Sequence, residues 1–222
     1  MKKFELTSET KINIFGKKLF RIKALISFAD VEAGETGGWV EKEGNVNQSG
    51  NAWVSGDAMV YGNAKVSGNA WVYGNAEVYG NAMVSGNAKV SGNAWVYGNA
   101  KVSGDAKVSG NAEVSGNAMV SGDAKVSGDA KVSGNAKVYG DAKVYGNAKV
   151  SGDADYTTIH GFGAQFRTTT FFRCKDKKVR VACGCFFGTI PEFREQVKNT
   201  RKGKIAEEYL MIADLMEKHF EK

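Results

Sequence analysis

The chain has 222 residues, of which 28 are Gly and one is Pro, and it carries a net charge of +6 at neutral pH. That much Gly excludes a protein built mainly of ordinary helices, and the absence of a three-residue Gly period excludes collagen. The three cysteines are an odd number, so they do not form a disulfide framework and suit a reducing compartment. Because no apolar run approaches the roughly 20 residues of a spanning helix and no signal-peptide pattern opens the chain, we expect a soluble, cytoplasmic protein with no membrane partner.

The excess positive charge lies at the C-terminal end of the sequence. Residues 156–222 contain 13 Lys and Arg against 8 Asp and Glu, whereas residues 44–155 contain nine of each. Composition changes at the same points. We therefore divide the chain into N-terminal capping strands over 1–43, a repeat region over 44–155 and a basic C-terminal module over 156–222.

The first 43 residues contain short apolar-rich stretches that are typical of strands. They run from Phe4 to Leu6, from Ile12 to Phe15 and from Leu19 to Ile26. The dipeptide Gly16-Lys17 between the last two indicates a hairpin. We predict that this segment covers the first coil of the repeat region.

A strict six-residue repeat fills the middle of the chain. Seventeen hexads of the form G-[ND]-A-x-V-[SY] follow one another, from Gly50 to Ser151. A period of six does not match the 3.6 residues of a helical turn, whereas β-branched Val suits one inward position on a short strand and Ala a second. We assign the left-handed backbone of each corner to Asn or Asp. Three hexads then make one triangular coil, so the pattern predicts a parallel β-solenoid of about six coils.

The repeat resembles that of the hexapeptide-repeat left-handed β-helix family, in which an aliphatic residue is followed four places later by a small one. Val54-Ser55-Gly56-Asp57-Ala58 has this form. The resemblance implies left-handed winding. Many members are acyltransferases that use a histidine as general base, but both histidines here, His160 and His219, lie beyond the repeat. We therefore expect a non-enzymatic scaffold without a cofactor, and an acyltransferase using acyl-CoA is the alternative.

The two ends of the chain carry a second resemblance. The leader FELTSETKINIFGKKLFRIKALISFADVEAGETGGWVEKEGN and the tail VACGCFFGTIPEFREQV resemble those of hexapeptide-repeat proteins encoded by bacteriophages and prophages. Those proteins are often labelled polymer-forming or transferase-like. The resemblance implies a phage-type binding protein in the host cytoplasm, with a host protein or a nucleotide as target and host defence as the process it counteracts.

Outward-facing side chains 18 residues apart should stack in columns along the solenoid. Aromatic residues dominate the N-terminal half of these columns, and exposed contiguous aromatics often mark an interface. The candidate interface, for a homo-oligomer or another partner, consists of Trp53, Trp71, Trp95, Tyr61, Tyr79 and Tyr97. Two alternatives remain: the ladders stabilise the sheet face, or the N-terminal segment covers them.

Lysines dominate the C-terminal half of the same columns. An aligned row of cations attracts nucleic acid. However, Asp105 lies two residues before Lys107, and the same spacing recurs at Asp129 and Lys131. We therefore favour solvated ion pairs over nucleic-acid binding for this stripe.

The C-terminal module is predicted to be a small ββαα unit. Residues 164–173 and 178–187 read as two strands joined by Lys175-Asp176-Lys177. Thr189 has the character of a helix N-cap with Pro191 in the first turn, and this helix runs to about Lys198. A second helix is predicted from about Lys204 to Glu221.

Three cysteines in this module, with His160 or His219, suggest a zinc site at first sight. A two-residue turn at Asp176-Lys177 would place Cys174 opposite Val179, about 13 Å from Cys183. Cys183 and Cys185 also lack the usual two-residue spacing of zinc ligands. We expect buried or half-buried thiols without a metal, and a redox-sensitive pair of Cys183 and Cys185 is the alternative.

Basic residues of the module form a candidate binding surface for an acidic partner, whether nucleic acid, nucleotide or protein. Its members are Arg167, Arg173, Lys175, Lys177, Lys178, Arg180, Arg201 and Lys202. The alternative is that phenylalanines of the hairpin pack on the helices and the basic side chains are simply solvated. Nucleic-acid binding through this surface is the weaker of the functional hypotheses.

Overall fold

Three N-terminal strands lead into the repeat region in the computed structural model, which describes residues 2–221. They are β1 (Phe4–Ile12), β2 (Lys18–Ala24) and β3 (Thr36–Val40). β1 pairs antiparallel with β2, and β2 pairs antiparallel with β3. β3 then pairs in parallel with the repeat strand Met59–Val60, so the N-terminal strands extend one face of the repeat region.

Each hexad of the repeat region contributes one strand of two residues. The strands are β4 (Trp53–Val54), β5 (Met59–Val60), β6 (Lys65–Val66), β7 (Trp71–Val72), β8 (Glu77–Val78), β9 (Met83–Val84), β10 (Lys89–Val90), β11 (Trp95–Val96), β12 (Lys101–Val102), β13 (Lys107–Val108), β14 (Glu113–Val114), β15 (Met119–Val120), β16 (Lys125–Val126), β17 (Lys131–Val132), β18 (Lys137–Val138), β19 (Lys143–Val144) and β20 (Lys149–Val150). Every third strand belongs to the same parallel sheet, and Lys89 pairs with Lys107. The predicted β-solenoid of about six coils, with 18 residues in each coil, is confirmed. The left-handed winding stays a prediction.

The core of the solenoid is a stack of small side chains. Every Val and every Ala of the seventeen hexads is fully buried. Each coil stacks on the next through backbone hydrogen bonds, such as that from Trp71 N to the Ala88 carbonyl at 2.9 Å. Because no single hexad encloses a core, the coils are stable only as a stack.

Glycine, not the Asn or Asp that follows it, has the left-handed backbone at each corner. The hexad glycines have φ between +62° and +72°. Adjacent corners also approach closely, since a β-carbon at Gly86 would lie 2.8 Å from the Gly104 nitrogen. Our assignment of this conformation to Asn and Asp is therefore wrong: the glycines have the positive φ, and between stacked coils their corners are also crowded. The asparagines instead form ladders, in which Asn51 donates to Asn69 at 3.1 Å and Asn69 to Asn87 at 3.0 Å.

Side chains satisfy the backbone groups that the two end coils leave open. At the first coil these groups are carbonyls, and Asn45 Nδ2 donates to those of Gly62 and Ala64 at 3.2 and 2.9 Å. At the last coil they are N–H groups. Lys143 N donates to Thr170 Oγ1 at 3.0 Å, and Lys137 N donates to Asp153 Oδ1 at 3.1 Å. Both ends are thus capped, as buried backbone groups require.

A four-stranded antiparallel sheet follows the last coil. Its strands, in spatial order, are β21 (Tyr156–Phe162), β22 (Arg167–Arg173), β23 (Val179–Cys183) and β24 (Phe186–Thr189). We predicted a ββαα unit, and the sheet has four strands instead of two. Gly184, at φ +59°, breaks the predicted strand 178–187 into two. β21 was missed.

The sheet packs on the solenoid with one face and on two helices with the other. Phe172 belongs to the solenoid core, and its neighbour Phe171 belongs to a second cluster with Phe193 and Met216 of the helices. The helices are α1 (Ile190–Thr200) and α2 (Gly203–Phe220). Within residues 2–221, neither helix is long and apolar enough to cross a membrane.

The predicted start of α1 is confirmed in detail. Thr189 is its N-cap, and its backbone N–H donates to Glu192 Oε2 at 2.7 Å while Glu192 N donates back to Thr189 Oγ1 at 3.4 Å. This reciprocal pair is a capping box. Arg194 then joins the two helices through contacts of 2.6 Å to Asp214 and 2.7 Å to Glu217.

Candidate anion-binding site

Two of the six arginines of the chain differ from the other four in their ionic partners. The paired arginines are Arg21 with Glu9 and Asp57, Arg173 with Asp155, Arg180 with Asp176, and Arg194 with Asp214 and Glu217. Arg167 and Arg201 form no ion pair within residues 2–221. Both line the same cavity, of about 380 Å³. We call this cavity the arginine pocket.

The arginine pocket lies where one end of the four-stranded sheet meets the two helices. Its lining consists of Ala164, Gln165, Arg167, Cys183, Cys185, Phe186, Phe193, Gln196, Val197, Thr200, Arg201 and Tyr209. Two turns of the sheet contribute, between β21 and β22 and between β23 and β24. No Asp or Glu belongs to this lining. The pocket therefore combines two cations with an absence of carboxylates.

Local backbone structure positions both arginines. Arg167 begins β22, and its Nη1 lies 2.6 Å from the point where a β-carbon at Gly184 would stand. Glycine is therefore required at position 184 for two reasons. Its φ is left-handed, and a β-carbon would collide with the Arg167 guanidinium. Arg201 is the C-cap of α1, with its backbone N–H donating to the Val197 carbonyl at 2.8 Å. Its Nη1 also donates to the Thr200 carbonyl at 3.1 Å. A cation at this position is favoured by the helix dipole.

Tyr209 forms the buried wall of the arginine pocket. Its hydroxyl donates to the Phe162 carbonyl at 3.3 Å. Burial raises the pKa of Tyr209 to about 12, and the neighbouring Cys183 thiol adds to the rise, whereas the charges of Arg201 and Arg167 oppose it. Tyr209 is therefore a neutral hydroxyl at physiological pH, and both arginines act electrostatically at its position.

A second cavity, of about 520 Å³, adjoins the arginine pocket and lies between the module and the end of the solenoid. We call it the junction groove. Its lining consists of Asp141, Lys143, His160, Gln165, Phe166, Arg167, Thr168, Gly184 and Cys185. His160 Nδ1 lies 3.0 Å from Thr168 Oγ1. The sequence did not show that His160 would lie beside the last coils, because β21 was not recognised as a strand.

The predicted basic surface does not form one continuous patch. Arg173 and Arg180 are engaged with Asp155 and Asp176. Lys175, Lys177 and Lys178 lie at or beside the exposed turn between β22 and β23, and Lys202 is the exposed residue before α2. Of the predicted set, the structure brings only Arg167 and Arg201 together in the arginine pocket.

The three cysteines lie in different environments. Cys174 is buried against the last coil, where its backbone forms an isolated β-bridge with that of Ala148. Burial raises the pKa of its thiol to about 11. Cys183 Sγ accepts a hydrogen bond from Thr169 at 3.1 Å, and Cys185 is exposed. The turn has three residues, so Cys174 faces Lys178 and not Val179 as we predicted. Among residues 2–221, no three His, Cys, Asp or Glu residues gather as metal ligands would.

The N-terminal segment covers part of the predicted aromatic interface. Trp53 is fully buried, with Phe4 and Phe28 packed edge-on against it at centroid distances of 6.2 and 5.4 Å. Tyr61 is also buried. Neither residue is available to a partner, so their assignment to an interface is wrong. Strand alternation predicts which way a side chain points, but it does not predict whether another segment covers that side chain.

Three of the predicted aromatics, Tyr61, Tyr79 and Tyr97, form a stacked ladder that is partly exposed. Tyr61 stacks on Tyr79 and Tyr79 on Tyr97, each pair with centroids 5.0 Å apart. Trp71, Trp95 and Tyr97 are half-buried. The ladder therefore stabilises a face of the solenoid, as one of our alternatives held.

The predicted Asp–Lys pairs of the solenoid do not form. Lys131 lies 2.6 Å from Glu113 of the preceding coil, and no other hexad lysine has an ion pair in the described part of the chain. The aspartates are engaged otherwise: Asn87 donates to Asp105 at 2.9 Å, and Asn111 to Asp129 at 2.9 Å. Cross-coil neighbours lie closer than residues two apart along the chain, which explains the difference.

Comparison with known proteins bears on the repeat region. Three segments, residues 58–74, 76–92 and 112–128, match the family model described as YdcK Beta solenoid repeat. No curated protein shows a significant match to the chain. The matched segments all lie among the hexads. The central part of this chain is therefore a repeat β-solenoid similar to the YdcK β-solenoid repeat.

Proposed function

We propose that the chain is a non-enzymatic β-solenoid binding protein whose C-terminal module takes an acidic ligand in the arginine pocket. One observation carries this proposal: the two arginines that lack an ionic partner within residues 2–221 line the same carboxylate-free cavity. Guanidinium groups form paired, charge-assisted hydrogen bonds with phosphate and carboxylate groups. A ligand of either kind would supply the missing counter-charge.

The solenoid has a mechanical role in this proposal. Its interior is filled by Val and Ala side chains, so it holds no internal site. It is capped at both ends and fixes the distance between the N-terminal strands and the module. The resemblance of the leader and tail to phage-encoded proteins adds the biological part of the proposal, which is a phage or prophage product in the host cytoplasm, with a host protein or nucleotide as target.

The test is a titration of the intact protein with inorganic phosphate, citrate and a glutamate-rich peptide by calorimetry. We expect at least one anion to bind, with affinity that falls as salt is raised from about 50 to about 200 mM because the contacts are ionic. A double variant, Arg167→Ala with Arg201→Ala, should lose at least tenfold in affinity. The matched control replaces Lys175 and Lys177 by Ala on the exposed turn and should bind as the wild type does.

All four side chains are exposed, so we expect both double variants to fold. Thermal unfolding of each variant checks this. Binding that is equal in the arginine variant and the wild type contradicts the proposal. So does the absence of binding by every anion.

His160 supports a second candidate function. It lines the junction groove with Asp141 and Lys143 of the last coils, and an imidazole that lines a groove is the kind of group that acts as general base in an acyltransferase. Incubation with acetyl-CoA decides between the candidates. An acyltransferase would be stabilised thermally by acetyl-CoA and would release free CoA, and the release would stop in a His160→Ala variant. Neither effect is expected of a binding protein.

Self-association is a further part of the proposal. Trp71 and the more exposed Tyr73 lie on the face of β7. The face of β8 and β11 carries three half-buried aromatic side chains, those of Tyr79, Trp95 and Tyr97. Light scattering of the wild type against a Trp95→Ala variant tests it. A monomeric wild type at tens of micromolar would contradict self-association through this face.

A further inference from the structure

The uncharged walls of the arginine pocket contain a half-exposed aromatic ring. Phe193 and Tyr209 are buried and pack edge-on, with centroids 5.7 Å apart. Phe186 lies against Phe193 at 5.4 Å with a tilt of 50°, and it is only partly buried. Part of the Phe186 ring is therefore open to the pocket. Such a surface favours a flat, apolar ring on a ligand.

Two side-chain amides also line the pocket. Gln165 comes from the turn between β21 and β22, and Gln196 comes from α1. Within residues 2–221, neither side-chain amide forms a hydrogen bond with another protein group. Each amide offers both donors and an acceptor, which is the complement of a heterocyclic ring edge. The pocket thus combines cations, an aromatic surface and free amides.

We infer that the arginine pocket binds a small phosphorylated molecule that carries a planar heterocyclic ring, the chemistry of a nucleoside monophosphate. The inference rests on the proposed function, because it specifies the acidic ligand. Arg167 and Arg201 hold the phosphate, since their paired donors match its geometry. The ring lies against Phe186, and Gln165 or Gln196 contacts its polar edge.

The size of the pocket favours a small molecule over a macromolecule. A volume of about 380 Å³ lies within the range of ligand pockets, from about 300 to 1,000 Å³. A nucleic-acid strand would need a track of cations along its backbone, whereas this pocket has two. In the adjoining junction groove Lys143 is accompanied by Asp141, so beyond Arg167 the groove offers no net positive charge to a second anionic group.

The first experiment separates the contributions of phosphate and ring. The intact protein is titrated by calorimetry with the four ribonucleoside 5′-monophosphates, the matching nucleosides and ribose 5-phosphate. We expect at least one monophosphate to bind tenfold or more tightly than both its nucleoside and ribose 5-phosphate. Arg201→Ala should weaken that binding at least tenfold, and Phe186→Leu should weaken it while leaving ribose 5-phosphate unchanged. Lys175→Ala is the matched control.

The second experiment locates the ligand by cysteine alkylation. Cys185 is exposed and lines both cavities, whereas Cys174 is buried and serves as the internal control. The rate of iodoacetamide modification at each cysteine is followed by peptide mass spectrometry. The bound monophosphate should slow modification of Cys185 severalfold and leave the rate at Cys174 unchanged.

The outcomes distinguish this inference from the proposed function. If ribose 5-phosphate or inorganic phosphate binds as tightly as every monophosphate and protects Cys185, the ring assignment is wrong and the proposed function stands. If a monophosphate binds without protecting Cys185, the ligand lies elsewhere and the inference is overturned. If no anion binds, both the inference and the proposed function fail.

Discussion

Lys3 places its Nζ atom 2.7 Å from the carbonyl oxygen of Ala52, at the open end of the first coil. The same atom lies 3.1 Å from the carbonyl of Gly50. In the next coil the equivalent oxygens, those of Gly68 and Ala70, accept hydrogen bonds from backbone N–H groups at 2.8 and 3.0 Å. One buried ammonium group therefore substitutes for a missing coil.

Replacing Lys3 by Met should destabilise the protein by about 1–3 kcal/mol, because it leaves buried carbonyls without a donor. Denaturant unfolding followed by circular dichroism measures the change. Lys2→Met is the matched control. Lys2 is exposed and pairs with Glu43, so its loss should cost no more than about 1 kcal/mol. Equal effects of the two substitutions would contradict the capping role of Lys3.

Lys3 also predicts a dependence of stability on pH. Burial lowers its pKa from 10.5 to about 8. Between these values the unfolded chain binds the proton and the folded chain does not, so this group makes unfolding less favourable as pH rises. The free energy of unfolding of the wild type, minus that of Lys3→Met, should therefore increase from pH 8 to pH 10.5 and be constant below pH 8. A difference that decreases over that interval would contradict a lowered pKa of Lys3 in the folded protein.

The stacked core predicts different costs for neighbouring residues of one strand. Val108 is fully buried and Lys107 beside it is exposed. Val108→Ala should cost about 2–3 kcal/mol, through lost burial and the cavity that remains. Lys107→Ala should stay within about 0.5 kcal/mol of the wild type. Chemical denaturation of the two variants measures both, and a similar cost for both would mean that the inward and outward columns are misassigned.

Two glycines of the last coils separate backbone strain from side-chain crowding. Gly140 and Gly146 have φ of +63° and +62°. A β-carbon at Gly140 would meet nothing within 4 Å, whereas one at Gly146 would lie 3.1 Å from Phe187 Cζ. Gly140→Ala should cost about 1–2 kcal/mol through its backbone alone. Gly146→Ala should cost more, because Phe187 must also move, and an equal cost would show that Phe187 does not press on the coil.

The buried hydroxyl of Tyr61 should stabilise the folded protein. It donates to Glu77 Oε2 at 2.8 Å, and both residues are buried; burial first, and then this bond, raises its pKa. Tyr61→Phe keeps the stacked ring and removes the bond, so it should cost about 1.5–3 kcal/mol. Tyr97→Phe, at the other end of the ladder, should change the unfolding free energy by less than about 0.5 kcal/mol. Thermal denaturation of the two variants tests the difference.

The repeat was predictable because each hexad specifies the same local geometry. A period of six with Val and Ala at fixed places leaves one way to bury both, and the pairing of Lys89 with Lys107 follows from it. The caps were predictable only in outline. Lys3 and Gly50 are 47 residues apart, and no pattern in the sequence links an ammonium group to a distant carbonyl.

The sequence identified the two arginines of the arginine pocket, but it did not predict that they line one cavity. Arg167 and Arg201 were recognised as basic residues, together with six others. What separates them from the other arginines is the absence of an ion pair within residues 2–221, and this depends on folding: Arg194 reaches Asp214 and Glu217 across 20 and 23 residues. Similarly, Gly184 was the one sign of the turn at Gly184-Cys185, and we did not read it as a turn because strand-like residues flank it on both sides.

The register of 18 residues makes the coils interchangeable. Excising residues 90–107 would join Lys89 to Val108 and restore the hexad pattern, because these two residues follow one another in every strand of that face from β10 onward. Neither cap would change, and the two ends of the rod would move together by about 4.8 Å. The solenoid therefore acts as a ruler whose length is set in whole coils, independently of what either end binds.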